Sequence, residues 1–390
     1  MQTVRRAIVI GNSFAGAENQ CIGLVRALGL SQNYTLYRVT RPRGGINERF
    51  HWLPVTVHKR LEQVVKWIRG FSRIPGKKVA PLQDGEKDIL EADARQIAKV
   101  ARETFERDGP ILVVASGRDT IPVSSSIKQL APENVFVIQI QHPRSRLHRF
   151  DLVITPRHDY YPLTPEAQRQ VPWFLRRWVT PRKPPDKHVV LTVGAIHQAD
   201  SIALRSAASS WHNELVPLQK PLLVVSVGGP TSRCKYGADL TNQLAASLQN
   251  VLPTCGSLRL SFSRRTPKTV SDILVGELGK HPKVYIWNGE DPNPHMGHLA
   301  WGDAFVITAD SVSMLSEACS TGKPVYVFGT ELCTWKFADF LKSLQNRGAV
   351  RPFTGKENIA ESWNYSPLND AKEAADEVVK ALAERRWRLQ

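Results

Sequence analysis

The chain has 390 residues, 42% of them hydrophobic, which is ample for two or three packed domains and excludes a disordered or fibrous protein. Its net charge of +16 favours anionic partners: phosphates, acidic lipid, an acidic protein face or nucleic acid. Five cysteines (Cys21, Cys234, Cys255, Cys319, Cys333) are odd in number, widely spaced and never arranged C-x-x-C, so neither a disulfide framework nor a zinc site is suggested, and a reducing compartment fits.

Residues 4–10 are expected to form a first strand, followed by a loop from Gly11 to Gly16 and a helix from about Ala17 to Leu28. The short apolar run before Gly11 is not a signal-peptide core. The loop glycines are spaced G-x-x-x-x-G, and the second strand, 34–39, ends in Thr40-Arg41 where a dinucleotide site would carry an acid. Gly16 is followed by Ala17-Glu18, so the loop is not a P-loop. What remains is a tight turn that either approaches a bound group or simply joins strand to helix.

From Arg41 to Lys78 there are ten Lys/Arg against two Glu, so a tenth of the chain carries half of the net charge. The run 57–71 can wind as a basic amphipathic helix, with Lys59, Arg60, Lys66, Trp67 and Arg69 as the expected membrane or partner contact. A core helix with a solvated basic side explains the same pattern. Nucleic acid is not an expected partner, because no recognised binding motif accompanies the patch. No apolar run approaches the roughly 20 residues that span a bilayer as a helix, so membrane contact is expected to be peripheral.

An exposed loop (72–85) and a long helix (86–107) come next. Strand and helix then alternate: strand 111–115, turn 116–119, helix 121–130, strand 135–141, His142-Pro143-Arg144, and strand 152–155. This implies a doubly wound parallel sheet with ligand-facing groups at the strands' carboxyl ends. Residues 176–187, with three prolines and many Arg and Lys, read as a connector. The expected domains are therefore 1–175, with the basic insertion at 41–78, and 188–365, followed by a final helical segment at 366–390.

The second half restarts with a strand at 188–193, a helix near 200–214, and strand 221–227 into Gly228-Gly229-Pro230. Helices near 238–252 and 268–279 flank the strand 257–262, and strand 284–287 leads into DAFVITADSVSMLSEACSTGKPVYVF (303–328). That stretch holds strand, loop, helix, turn and strand. A helix starting at the carboxyl end of a parallel strand presents free amides and a positive dipole end to a phosphate. Ser311 and Ser313 add hydroxyls, and Glu317 is placed to accept hydrogen bonds from a ribose diol. Gly228 and Gly229, with Arg233 or Arg264, are further candidates for the diphosphate. An ordinary capped βαβ unit with a solvated Glu fits the same pattern.

Asp303, the Ser-rich turn and Glu317-x-x-x-x-Gly322-x-Pro324 resemble the donor-nucleotide segment of GT-B glycosyltransferases, in which the equivalent Glu holds the ribose. GNSFAGAENQCIGLVRALGL (11–30), SGRDTIP (116–122), QIQHPRSRLHRFDLVITPRHDYYPLTP (139–165), VYIWNGEDPNPHMGHLAWGDAF (284–305) and RPFTG (351–355) resemble the plant mitochondrial fission factors of the elongated-mitochondria family. The resemblance implies two Rossmann-like doubly wound domains facing across a cleft, with the C-terminal helix returning to the first. It also implies a fission adaptor on the cytosolic face of the outer mitochondrial membrane, with a cytosolic pool, that recruits a dynamin-related GTPase. The alternative is a nucleotide-sugar-dependent glycosyltransferase. A transferase would need a general base from the first domain, for which His142, Asp119 and Glu18 stand at strand ends. No catalytic residue is assigned, since related transferases often carry a His where this chain has Ala17-Glu18. His142, His148, His158, His295 and His298 form no metal pattern, G-x-S-x-G is absent, and neither metal nor cofactor is expected.

Overall fold

The computed structural model describes residues 2–39 and 90–390, apart from 145, 177, 178, 232, 233, 235, 236 and 291. The basic segment 41–78, with Lys59, Arg60, Lys66, Trp67 and Arg69, lies outside the described residues, as does Arg233. In chain order the strands are β1 (Gln2–Val4), β2 (Arg6–Gly11), β3 (Tyr34–Arg38), β4 (Leu90–Glu91), β5 (Ile111–Ser116), β6 (Val135–Ile140), β7 (Leu152–Pro156), β8 (Val189–Thr192), β9 (Leu222–Val227), β10 (Ser257–Phe262), β11 (Val284–Ile286), β12 (Ala304–Thr308), β13 (Val325–Phe328), β14 (Val350–Pro352) and β15 (Trp387–Leu389).

Seven strands form one sheet in the order β4-β3-β2-β5-β6-β7-β8, and six form another in the order β11-β10-β9-β12-β13-β14. Every pairing in both is parallel. Their runs of Val, Ile and Leu suit that arrangement, because a parallel sheet is covered on both faces. All residues of β5, β6 and β9 are buried. Leu112 and Val114 of β5 face the helix Ala15–Ala27, whereas Ile111, Val113 and Ala115 pack with Ile97 and Ile127 of the helices on the other side. The second sheet is sandwiched in the same way, by Leu299, Leu315 and Phe340 on one face and Leu244, Leu248 and Leu274 on the other.

The strand expected to open the second sheet belongs to the first. Val189–Thr192 pairs with β7, Val189 opposite Val153. Three of its four residues are only half-buried, the pattern of an edge strand, and β7 just before the connector supplies a free edge. The second sheet takes its sixth strand from β14, which pairs with β13.

The final helix spans Asp370–Glu384 rather than the whole of 366–390, because the backbone turns at Arg386 (φ 60°) and β15 then pairs with β1. This helix returns to the first domain, where Ala374, Ala375, Val378 and Leu382 share a core with Leu24, Val25 and Leu112. Asp370 at its start accepts the Val193 and Gly194 amides at 2.7 and 2.9 Å. Lys336 bonds Asp159 at 2.5 Å, and Arg26 meets Asp200 at 3.4 Å, so polar ties also link the two halves. Gly23 lets the first helix touch the crossover loop, since a Cβ there would overlap the His197 carbonyl.

Candidate functional site

In each sheet the chain winds outward from the middle in both directions, from β2 and β5 in the first and from β9 and β12 in the second. Loops at such a switch point diverge and leave a crevice at the strands' carboxyl ends, the usual place for a ligand. Gly228 and Gly229 follow β9, and Ser311 follows β12 and opens the helix Val312–Cys319, which carries Ser313 and Glu317. The five residues expected from the sequence thus meet at one switch point. Ser311 caps the helix, its Oγ accepting the Met314 amide at 3.4 Å, and the remaining first-turn amides favour an anion.

Gly228 and Gly229 are not free to hold a diphosphate through their amides. Those amides donate to Thr308 Oγ1 at 2.8 Å and Asp310 Oδ2 at 3.0 Å. A Cβ on Gly228 would overlap the Asp310 carboxylate and one on Gly229 the Arg265 carbonyl, so the first glycine makes room for the acid and the second for the neighbouring chain. Asp310 is 2% exposed and its Oδ1 has no partner among the described residues. Burial raises its pKa, outweighing the Thr308 hydrogen bond and the Arg265 charge. Arg265, with Nη2 3.9 Å from Asp310, is the cation at this crevice, beside the exposed Arg264.

Glu317 Oε2 lies 2.9 Å from His295 Nε2, with the carboxylate 13% and the imidazole 32% exposed. Burial works against both charges, but mutual attraction and the hydrogen bond outweigh it. The Glu317 pKa ends below the ordinary carboxylate value and that of His295 above the ordinary imidazole value. Glu317 Oε1 makes no hydrogen bond among the described residues and remains an acceptor. Sequence reasoning missed His295, because a partner 22 residues away leaves no periodic signal. Nearby, His197 is 5% exposed and accepts the Ala199 amide on Nδ1 at 3.2 Å, which places its proton on an unpartnered Nε2.

Across the cleft, Glu18 is committed to structure. It accepts Arg38 through both oxygens at 2.8 and 2.9 Å and the Ser13 amide at 2.8 Å, so it clamps the first glycine loop instead of standing ready as a base. Asp119 accepts Asn12 Nδ2 at 3.4 Å across the first switch point. His142 Nδ1 accepts the Arg144 amide at 2.9 Å, and burial lowers its pKa.

The same strand ends carry Arg118 and Arg144, each reaching solvent from a partly enclosed position. Burial lowers the pKa of each, and the Arg118 charge lowers that of Arg144 further. Gln141 and Arg144 hold φ of 70° and Ser13 of 64°, left-handed conformations that cost a non-glycine residue about 1–3 kcal/mol. Two neighbouring cations, one of them on left-handed backbone, are the composition of an anion-facing edge. The sequence showed these arginines only as members of motifs.

Two doubly wound parallel sheets meeting across a cleft, with the last helix braced on the first domain, define a GT-B-like protein. Residues 15–382 match the family described as mitochondrial fission ELM1, and the chain belongs to that family. It is 62% identical over 397 residues to the mitochondrial fission protein ELM1 of Arabidopsis thaliana, covering 99% of this chain and 93% of the relative. An uncharacterized protein of Rickettsia prowazekii is 27% identical over 296 residues, covering 73% and 83% of the two chains. Among solved structures, the UDP-GlcNAc 2-epimerase of Methanocaldococcus jannaschii superposes with a TM-score of 0.51 at 13% identity, covering 97% of this chain and 99% of its own. A Listeria monocytogenes protein assigned as a UDP-N-acetylglucosamine 2-epimerase gives 0.53 at 13% identity, covering 98% and 97%. At those identities the likeness is one of fold.

Proposed function

We propose that the protein acts in mitochondrial fission as an adaptor, held peripherally on the cytosolic face of the outer mitochondrial membrane with a cytosolic pool, where it gathers a dynamin-related GTPase. The observation that carries this reading is the near end-to-end identity to a mitochondrial fission protein. Among the described residues no helix is long and apolar enough to cross a membrane, which fits attachment by surface forces. Lys59, Arg60, Lys66, Trp67 and Arg69 remain part of the proposed contact.

The cleft is a ligand site in this reading, suited to a nucleotide diphosphate or its sugar conjugate. Ser311, Ser313 and the helix amides receive the phosphates, Glu317 takes the ribose, and Arg118 and Arg144 face them. Turnover is not part of the reading, because Glu18 is spent on Arg38 and His142 hydrogen-bonds no acid among the described residues. The glycosyltransferase alternative draws its support from the Glu317–His295 pair at the helix end.

Cells lacking the protein should show elongated mitochondria and a dispersed dynamin-related GTPase, and Glu317→Ala should restore both as the wild-type chain does. Calorimetry with nucleotide diphosphates should show binding that this variant weakens by about 1–3 kcal/mol, the range for hydrogen bonds to a charged group. Sugar-nucleotide turnover abolished by Glu317→Ala, together with failed rescue, would replace the adaptor by an enzyme.

A further inference from the structure

Trp173, Phe174 and Leu175 follow one another in the loop after the helix Pro165–Gln170, and they are 80%, 54% and 44% exposed. Single exposed apolar residues are ordinary, but three large ones in succession are not. The loop is built rather than frayed. The Leu175 amide donates to the Pro172 carbonyl at 2.9 Å, Arg176 Nε donates to the Val171 carbonyl at 3.1 Å, and the Trp173 and Phe174 rings meet edge to face at 6.0 Å. In the chain flanking this knob Arg169, Arg176, Arg182, Lys183 and Lys187 are exposed. Basic side chains outnumber the two acids of residues 165–188, Glu166 and Asp186.

We propose that Trp173-Phe174-Leu175 is a wedge that enters the headgroup region of an anionic phospholipid bilayer, while the surrounding arginines and lysines bind the lipid phosphates. The inference rests on the peripheral-membrane reading and names the surface that performs it. Tryptophan and phenylalanine partition into the interface between water and hydrocarbon, and each cation near an anionic leaflet adds attraction. A protein partner fits less well. Three side chains present on the order of a few hundred Å², well short of the roughly 800 Å² per side of a stable protein interface.

The test uses the full chain with vesicles of phosphatidylcholine alone or mixed with phosphatidylserine, read by co-sedimentation and by quenching of tryptophan fluorescence with brominated acyl chains. Wild-type protein should bind only the anionic vesicles, with affinity falling as salt rises. The triple variant Trp173→Ala/Phe174→Ala/Leu175→Ala should lose about tenfold or more in partitioning and most of the quenching, with an unchanged circular dichroism spectrum and melting curve. Arg176→Glu/Arg182→Glu/Lys183→Glu should lose the preference for phosphatidylserine.

Wild-type binding that the triple variant retains in full would overturn the wedge and leave peripheral attachment standing through another surface. Absence of wild-type binding to any vesicle would overturn the peripheral reading and the wedge together. Concentration-dependent dimers of the wild type, abolished in the triple variant with vesicle binding unaltered, would make the knob a self-association face and overturn the lipid proposal.

Discussion

The pair of Glu317 and His295 joins two neighbouring helices through one hydrogen bond, and both groups sit where a ligand would meet the second domain. Their pKa values are displaced in opposite directions. His295 is raised, so its contribution is complete below the ordinary value of 6.5 and fades as pH climbs through the folded-state value. Glu317 is lowered, so its contribution is complete above 4.5 and fades as pH drops through its own folded-state value. The tie is therefore firmest between these two ordinary values. Removing the carboxylate leaves burial as the main influence on the imidazole, so Glu317→Gln should bring the His295 midpoint in a proton NMR titration below 6.5. A midpoint that stays above 6.5 in that variant would mean that another group supplies the charge.

Among the elements, the returning helix Asp370–Glu384 decides whether two domains behave as one molecule. Its first residue, 1% exposed, satisfies the backbone amides of Val193 and Gly194 where the chain leaves the first sheet for the second domain. Asp370→Ala strands both donors in the interior, which should cost about 2–6 kcal/mol, since each buried unmet polar group costs roughly 1–3. Denaturant unfolding measures this, and a loss below about 1 kcal/mol would mean that water replaces the carboxylate. The helix was legible in the sequence as the final helical segment, and its return to the first domain followed from the resemblance to GT-B folds. Its cap was not, because Asp370 bonds residues 177 and 176 positions away. The parallel strands were legible for the opposite reason: burial on both faces writes itself as an unbroken apolar run. Val189–Thr192 was misplaced because such a run says nothing about which sheet edge it will meet. At the site, Ser311 and Glu317 stood out by their place after a strand. The commitment of Glu18 to Arg38 and of the glycine amides to Thr308 and Asp310 is tertiary and had no local signature.

At the scale of the whole molecule, its histidines set the response to acid. Burial is the leading cause that lowers the pKa of His142, His158, His197 and His298, and it drives His158 and His298 to about 4. These two are 6% and 3% exposed, and each has an Nδ1 without a partner among the described residues. His158 packs on Phe340, its ring centre 5.1 Å away, and so lies in the contact between the two domains. As pH falls from 6.5 toward about 4, the unfolded chain takes up protons at these positions while the folded chain does not. Stability must fall over that interval, by about 3 kcal/mol for each of the two at its lower end, because every tenfold loss of proton affinity on folding is worth roughly 1.4 kcal/mol. Among the described histidines with a displaced pKa, His295 works the other way, against the four that are lowered. The melting temperature should therefore decline steadily below pH 6.5, well before most carboxylates protonate. The double variant His158→Asn/His298→Asn, although less stable near neutrality for its lost packing, should show a flatter acid limb. An acid limb of unchanged slope in that variant would place the proton uptake at other groups and remove these two histidines from the account.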